Sequence, residues 1–191
     1  MPEQQNTPKD FHKKKNSDRR RQIWSFLGIL FSFMLLLSLA SYTPADQANG
    51  QIPVLDLWKV FMPDEVLQAQ AERTQNLLGL LGAVLSNWLI NSTVGYAVIS
   101  FPILGLAWSW YLLRNKELHK LILASNYIIA LSLLFSALMG SVRLIGTVPI
   151  LSMEWSGAVG DFVANTLYKL IGLVGSFILL LGLLTAVPNF W

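Results

Sequence analysis

The sequence predicts an all-α membrane protein with four transmembrane helices, arranged as two helical hairpins with the N- and C-termini in the cytoplasm. Its composition is the first reason, because 53% of the 191 residues are hydrophobic and only 13% are charged, which is unusual for a soluble domain. The second reason is that the apolar residues fall in long uncharged runs rather than at amphipathic spacing. The third is the uneven distribution of Lys and Arg along the chain, which sets the orientation.

The first span follows a basic N-terminal segment. Residues 1–21 are polar, include seven Lys or Arg and offer little to bury, so we expect a disordered cytoplasmic tail. Residues 23–41 then give 19 positions without a charge, enough to cross a hydrocarbon core of about 30 Å at about 1.5 Å per residue. A cleaved signal peptide is the alternative, but the run is longer than a typical signal core and Ser38-Leu39-Ala40 is a weak cleavage site. A retained anchor is therefore favoured.

The second span is separated from the first by an external loop, residues 42–94. No charged residue occurs from Thr74 to Leu113, and a single helix of that length would measure about 60 Å, twice the bilayer core. Asn91-Ser92-Thr93 is the expected break, because these side chains compete for backbone hydrogen bonds. After the break, residues 95–113 form the second span. Before it we predict an amphipathic segment with an apolar face made of Leu77, Leu81, Val84, Leu85, Trp88 and Leu89.

The second half of the chain repeats this organisation. A short, mostly basic turn at residues 114–120 leads into 22 uncharged residues at 121–142, which form the third span. Residues 143–171 are expected to be a second external loop that contains another amphipathic segment. Residues 172–187 then form the fourth span.

The orientation of the membrane domain, residues 22–188, follows from the charges that flank its spans. The N-terminal tail and the turn at residues 114–120 hold ten of the 14 Lys and Arg residues, and the two loops on the opposite side hold four. The positive-inside rule counts basic residues, and it places both ends of the chain in the cytoplasm. Residues 189–191 are expected to begin a cytoplasmic continuation.

The two halves of the chain share a glycine pattern, in which a GxxG motif is followed at nearly the same distance by a single glycine. These residues are Gly79, Gly82 and Gly95 in the first half and Gly157, Gly160 and Gly172 in the second. The pattern favours an internal repeat built from an outgoing helix, an external loop, a GxxG-led amphipathic segment and a returning helix. The alternative is the general abundance of glycine in membrane helices.

The sequence contains no motif that indicates catalysis. No phosphate-binding GxxxxGK[ST] loop, GxSxG elbow, HExxH motif or metal-spaced histidine cluster occurs, and there are no cysteines. No ionisable residue lies near the middle of a predicted span, which disfavours a proton relay or an ion-coupled transporter. We therefore expect no enzyme activity, and we predict no catalytic, cofactor-binding or metal-binding residue and no small-molecule substrate.

Three polar features have competing interpretations. Asn126 lies in the third span and is expected to form a hydrogen bond between helices. Arg143 and Asp161 could pair, although snorkelling of Arg143 to the membrane interface is favoured. The clusters Lys13–Lys15 and Arg19–Arg21 could contact anionic lipid or DNA phosphates. A topology signal with lipid contact is favoured, because no folded DNA-reading motif accompanies them.

Taken together, the sequence resembles the four-helix membrane region at the N-terminus of bacterial FtsK/SpoIIIE DNA translocases. The resemblance covers most of residues 19–187. It depends on four spans in this order and on Arg19-Arg20-Arg21, Ser41-Tyr42-Thr43-Pro44-Ala45-Asp46, Gly79, Gly82, Gly95, Pro102, Gly157 and Gly160. Gln47 departs from the pattern, since many relatives would have a proline there. The nucleotide-binding loop and the winged-helix DNA reader of the family are not in this sequence.

The resemblance implies an anchor in the inner membrane that holds an ATP-driven DNA pump at the division septum during chromosome segregation and cell division. It also implies self-association, contacts with membrane proteins of the divisome, and contact with DNA only indirectly, through a motor domain. The lipid bilayer is the partner that the sequence itself predicts. The alternative is a small stand-alone multipass membrane protein, either a channel or an assembly subunit, in which the GxxG segments line a pore.

Overall fold

The structure, a computed structural model, describes residues 8–46, 52, 65–145 and 151–187, and only the backbone for residues 8–17 and 65–67. The described residues form α-helices and short 3₁₀ turns and contain no β-strand. The helices are α1 (Pro8–Ala40), α2 (Glu65–Arg73), α3 (Gly79–Ser92), α4 (Ser100–Leu113), α5 (His119–Leu144) and α6 (Gly157–Ala186). The 3₁₀ turns are Pro44–Asp46, Gly95–Ile99 and Met153–Trp155.

Four stretches of the described chain are long and apolar enough to cross a membrane. They are Asp18–Ala40, Gly95–Leu113, His119–Leu144 and Gly157–Ala186. The prediction of an all-α protein with four transmembrane helices is therefore confirmed, and the chain is a multi-pass membrane protein. The predicted break before the second span is also present, because α3 ends at Ser92 and Thr93 has the non-helical angles φ −116° and ψ −124°.

The N-terminal segment differs from the expectation of a disordered tail over residues 1–21. Helix α1 begins at Pro8, so residues 8–21 are helical. Lys, Arg and Gln are good helix formers, and a helix that already crosses a membrane extends without a new nucleation step. Arg21 also donates a hydrogen bond to the carboxylate of Asp18, three positions earlier, at 3.0 Å. Residues 1–7 lie outside the described residues.

The fourth apolar helix is longer than the predicted span at residues 172–187. Helix α6 starts at Gly157, so it includes both the expected amphipathic segment and the expected span. Within α6, Gly172 is not helical, with φ 73° and ψ 175°. Glycine adopts this conformation readily because it has no Cβ. The predicted boundary at residue 172 therefore falls on a break between two helical segments rather than on the start of a helix.

The interior of the bundle is lined mainly by small side chains, while large apolar side chains face outward. The buried serines are Ser25, Ser32, Ser38, Ser86, Ser109, Ser125, Ser132, Ser136, Ser141, Ser156 and Ser176. By contrast, Trp24 is 71% exposed and Phe26 is 65% exposed. This distribution is the reverse of that in a soluble domain. It is expected where lipid solvates large apolar side chains and helices associate through small residues.

Reciprocal contacts between glycine and serine join α1 to α4. Gly28 lies against the side chain of Ser109, and Gly105 lies against the side chain of Ser32. A Cβ atom on either glycine would stand 3.3 to 3.4 Å from the Cβ of the facing serine and nearer still to its hydroxyl. Because residue numbers rise on one helix as they fall on the other, α1 and α4 run antiparallel.

Hydrogen bonds between side chains join α4 to α5. The hydroxyls of Ser100 and Ser132 are 3.0 Å apart, and the indole Nε1 of Trp108 donates to Ser125 Oγ at 2.9 Å. These pairs also have an antiparallel order. Polar pairs of this kind stabilise helix association in a membrane because no water competes for the donors and acceptors.

Helix α6 packs on α5 through backbone-to-backbone approach. A Cβ on Gly140 would stand 2.8 Å from the carbonyl oxygen of Gly160 and 2.9 Å from Ala164 Cβ. Ser136 Oγ donates to the carbonyl of Ser156 at 2.5 Å. The first segment of α6 is therefore held close to α5 by residues that lack long side chains.

Helix α3 buries both small residues and the apolar residues Leu80, Val84 and Ile90, and it leaves other large apolar residues exposed. Gly82 and Ser86 are buried, whereas Leu81 is 53% exposed and Trp88 is 55% exposed. Ser38 Oγ of α1 donates to the Gly82 carbonyl at 2.8 Å. The apolar face predicted for this segment is thus partly an outer face, as expected for a helix embedded among lipids.

The backbone supports the predicted internal repeat. The positive-φ glycines of the described chain are Gly79 (60°), Gly95 (66°), Gly157 (62°) and Gly172 (73°). In each half, one of these glycines opens the GxxG motif and the next begins the returning segment. The two halves therefore share a backbone conformation at equivalent positions, which a general abundance of glycine does not explain.

Candidate interaction site at the loop end of the bundle

We define the loop end of the bundle as the end at which α1 finishes and α6 begins, and the turn end as the end that contains the connection between α4 and α5, residues 114–118. The loop end carries a cluster of buried polar and aromatic side chains. It is therefore the candidate site, and its residues come from four different parts of the chain.

Glu154 is the centre of this cluster and is only 4% exposed. Tyr42 donates its hydroxyl hydrogen to Oε1 at 2.9 Å, while Tyr96 and Ser152 donate to Oε2 at 3.4 Å and 2.5 Å. A buried carboxylate needs such donors because removing a charge from water is costly. Glu154 thereby ties the segment before α6 to the end of α1 and to the turn that precedes α4.

Aromatic rings cover the same carboxylate. The rings of Tyr42 and Tyr96 meet edge to face with centroids 6.1 Å apart, and those of Tyr96 and Trp155 with centroids 5.3 Å apart. Such geometry is favourable beyond the area that it buries. Tyr42 and Tyr96 also pack on a small apolar core made of Leu39, Ile90, Val94 and Val98.

Arg143 forms an ion pair with Asp161, so the favoured prediction that Arg143 only snorkels to the interface is wrong. Its guanidinium contacts Oδ2 of Asp161 and also donates to Ser156 Oγ at 3.0 Å. The two charged side chains are 29% and 26% exposed. At that depth, pairing replaces hydration that the two groups have partly lost. The pair joins the end of α5 to the N-terminal part of α6.

A second buried acid and an amide fix the start of α3. Asp46 is 2% exposed and its Oδ1 accepts from the backbone N–H of Gln75 at 3.0 Å. Asn76 donates to the carbonyl of Ser38 at 2.9 Å and accepts from the N–H of Leu78 at 3.1 Å. These bonds connect the chain before α3 to the end of α1. Among the described residues, the second oxygen of Asp46 has no hydrogen-bond partner.

The two halves of the protein meet where the backbones of Gly95 and Gly157 come together. A Cβ on Gly157 would overlap the carbonyl oxygen of Thr93 and the nitrogen of Gly95, and a Cβ on Gly95 would stand 2.5 Å from the carbonyl oxygen of Glu154. The N–H of Val159 donates to the Thr93 carbonyl at 3.0 Å. Only glycine fits both positions, because each has a positive φ and no space for a side chain.

The described polar side chains of the loop end mainly stabilise the fold. The hydrogen bonds of Glu154, Arg143 and Asn76 are directed within the chain, where they hold helix ends together. In the part of the chain that the structure describes, no group of three or more potential metal ligands occurs. What the site can do is present a folded loop surface in a fixed relation to the four membrane-crossing helices.

The sequence matches the family described as the 4TM region of DNA translocase FtsK/SpoIIIE over residues 17–188. That match includes every one of the four membrane-crossing stretches and the whole loop-end cluster. The chain belongs to the FtsK/SpoIIIE four-transmembrane family. Comparison with curated proteins and with solved structures gave no significant match.

The structure of this FtsK-type region places Asn126 differently from the prediction. Its amide was expected to bond to a neighbouring helix, but the residue is exposed and makes no hydrogen bond to any residue that the structure describes. Ser125, its neighbour in sequence, instead makes the bond between helices, from the indole of Trp108. A single polar residue in an apolar run shows that a hydrogen bond is possible without showing which way the residue faces.

Sequence reasoning about this FtsK-type chain also missed Glu154, Tyr96 and Asp46 as members of one site. A signal for Glu154 was present, because an acid flanked by Ser152 and Trp155 stands directly before the second GxxG motif. Its partner Tyr42 lies 112 positions away. No spacing rule on a single sequence connects residues at that separation.

Proposed function

We propose that this FtsK-type membrane region anchors a DNA translocase motor in the inner membrane at the division septum. DNA transport would thereby occur where the septum closes. The observation that carries the proposal is the family match over residues 17–188, which spans all four apolar helices. In this proposal the chain itself hydrolyses no nucleotide. It positions a motor domain and presents its loop end to other membrane proteins of the division machinery.

Two features of the architecture support an anchoring role. The loop end is held together by contacts within the chain, and at the opposite end α1 continues beyond its apolar stretch. Glu154 and the Gly95–Gly157 contact hold the loop end together. At the opposite end α1 continues from Asp18 back to Pro8, beyond its apolar stretch, and carries both basic clusters. A basic helix next to a span suits contact with an anionic membrane surface. This arrangement favours a cytoplasmic location for both termini.

The rival proposal, a channel whose GxxG segments line a pore, is less well supported. Gly82 is packed against Asn76, and Gly160 is packed against Ser136. These glycines are thus used for close contact inside the protein. A pore would instead need backbone or polar side chains that face an aqueous passage.

The experiment is to image a C-terminal fluorescent fusion of the full chain in dividing cells, with a fusion of an unrelated four-span membrane protein as the control. A band at mid-cell, against a uniform control signal, would support both the septal location and the cytoplasmic C-terminus. A uniform membrane signal would contradict the septal role. A stable fusion of a reporter that folds only in the cytoplasm, if it gave no fluorescence, would contradict the proposed orientation.

A further inference from the structure

A groove of about 430 Å³ runs between α4 and α5 on the outer face of the bundle. Its walls are apolar and consist of Phe101, Leu104 and Trp108 on one side and Ile122 and Ile129 on the other, with Ser125 and Asn126 also in the lining. The groove lies within two of the membrane-crossing stretches. A molecule that enters the groove would therefore come from the bilayer rather than from water.

Asn126 gives this groove an unusual polar element. Ser125 already accepts a hydrogen bond from Trp108 and donates to the carbonyl of Leu121 at 2.7 Å. The amide of Asn126 is exposed and makes no hydrogen bond to the described part of the chain. An amide in hydrocarbon without a hydrogen-bond partner is unfavourable. A molecule in the groove that offers an acceptor would remove that penalty.

A basic group, Lys116, stands near the turn end of the same groove. Lys116 lies over the ring of Tyr111 at 5.5 Å from its centroid, and Tyr111 is one helical turn beyond Trp108. On the other wall, His119 is one turn before Ile122. A polar side chain inside an apolar groove and a cation near its mouth form an amphiphilic arrangement.

The geometry points to a binding site for one anionic phospholipid. An acyl chain would lie along the apolar walls, an ester carbonyl would accept a hydrogen bond from the Asn126 amide, and the phosphate would lie near Lys116. Basic pockets between transmembrane helices bind lipid headgroups in this way. The inference is independent of the septal role, since it needs only the groove and its charges.

A helix from a second copy of the chain is a poorer fit to the groove. Helices associate in lipid through small residues that allow backbones to approach. The walls here are instead large, with Phe101, Trp108 and Ile129 among them, and the small residue Ser125 is 6% exposed and already bonded. Flexible acyl chains adapt to such a surface, whereas a helix would leave gaps beside the bulky side chains.

The test is native mass spectrometry of the full chain, purified in a mild detergent and mixed with either phosphatidylglycerol or phosphatidylcholine of the same acyl composition. We expect one tightly retained phosphatidylglycerol and weaker retention of phosphatidylcholine. Ile122→Trp should fill the groove and abolish this retention. Leu123→Trp is the matched control, because Ile122 and Leu123 are adjacent on α5 and 43% and 41% exposed, and only Ile122 lines the groove.

Two further variants test the polar contacts and do not change the groove walls at Ile122. Lys116→Gln should weaken phosphatidylglycerol binding by roughly fivefold, since a basic residue near an anionic headgroup contributes about that factor. Lys169→Gln, at an exposed lysine on α6, should have no effect. Asn126→Leu should weaken retention of both lipids.

Three results would overturn the inference. The first is equal lipid retention by Ile122→Trp and Leu123→Trp. The second is equal retention of phosphatidylglycerol and phosphatidylcholine by the unmodified chain. The third is a dimer that Ile122→Trp abolishes and Leu123→Trp preserves, which would identify a second copy of the chain as the occupant of the groove.

Discussion

Gly95 and Gly157 lie against each other at the loop end. A Cβ on Gly157 would overlap the backbone of Thr93 and Gly95, and a Cβ on Gly95 would overlap the backbone just before Gly157. Their φ angles are 66° and 62°. One opens the returning segment of the first half and the other opens the GxxG motif of the second half. The contact between the two halves of the repeat is therefore made by backbone, and it depends on the absence of two Cβ atoms.

We expect Gly157→Ala to destabilise the protein strongly. The left-handed conformation is unfavourable by about 1 to 2 kcal/mol for a residue with a Cβ, and overlap with the Thr93 carbonyl and the Gly95 nitrogen adds to this. Thermal unfolding of the purified protein in detergent would measure the loss. Gly95→Ala should behave similarly, since its Cβ would stand 2.5 Å from the Glu154 carbonyl oxygen.

Two control glycines separate strain from overlap. Gly79 has φ 60° but no heavy atom within 4 Å of an added Cβ, so Gly79→Ala should show the conformational penalty alone. Gly182 has no such φ and also has open space, so Gly182→Ala should leave the unfolding temperature nearly unchanged. Equal effects at Gly157 and Gly79 would show that the close contact contributes nothing.

Removal of the Tyr42 hydroxyl should weaken the loop end. Tyr42→Phe keeps the ring that packs on Tyr96 but removes the donor to Glu154, which is 4% exposed. A buried acceptor that loses a donor destabilises a fold by about 1 to 3 kcal/mol, and we expect the lower end of this range because Tyr96 and Ser152 still donate to Glu154. Chemical unfolding in mixed micelles would measure this. Tyr168→Phe is the control, since Tyr168 is 48% exposed, and a loss of similar size there would refute the interpretation.

The ion pair between Arg143 and Asp161 should stabilise the fold more than a surface ion pair does. Arg143→Gln leaves Asp161 partly buried without its partner, and we expect the free energy of unfolding to fall by about 1 to 2 kcal/mol. This is less than for a fully buried pair, because the two side chains are 29% and 26% exposed. Removal of the exposed Arg21–Asp18 pair by Asp18→Asn should change the unfolding free energy by less than about 0.5 kcal/mol. A larger loss at Asp18 than at Arg143 would contradict this ranking.

The packing of α1 on α4 should not tolerate a large residue. Ser32 is 6% exposed and faces Gly105, so Ser32→Leu must separate the two helices. We expect reduced yield of folded protein and a lower unfolding temperature, measured by size-exclusion chromatography after heating. Phe31 is adjacent and 63% exposed, and Phe31→Leu should have little effect. If Ser32→Leu were as stable as the unmodified protein, α1 and α4 would not pack as closely as the structure shows.

The absence of cysteine allows a direct test of the predicted orientation. Because the chain has no native cysteine, a single introduced thiol can be labelled without background. Asn115→Cys in the turn between α4 and α5 should react with a membrane-impermeant maleimide only after cells are opened. Met153→Cys, at a side chain 42% exposed at the loop end, should react in intact cells. The opposite pattern would place the termini on the other side.

The length and composition of the uncharged runs were enough to predict the four spans. The second span was predicted with the bounds that the structure shows, Gly95 to Leu113, because a break before it and a charge after it are both visible in the sequence. The fourth was predicted too short. A glycine that breaks a helix can still have helix on both sides of it, and Gly172 does.

The candidate site was predicted less well because its contacts are long-range. Arg143 was assigned to the interface, whereas its partner Asp161 lies 18 positions further on and reaches it only because Gly140 and Gly160 allow close approach. Asn126 was assigned an inward direction that Ser125 has instead. One position along a helix changes the direction of a side chain by about 100°, and an almost uniformly apolar span contains little information about that rotation.

The break at Gly172 has a mechanical consequence for a protein proposed to hold a motor. An added Cβ at Gly172 would meet nothing within 4 Å, and the segment of α6 after it buries only Ser176 and Leu180. The segment before it is held to α5 by Gly160 and Ala164, and to the turn before α4 by Gly157. A force applied at the C-terminal end of α6 would therefore rotate the last segment about Gly172 before it distorted the closely packed loop end.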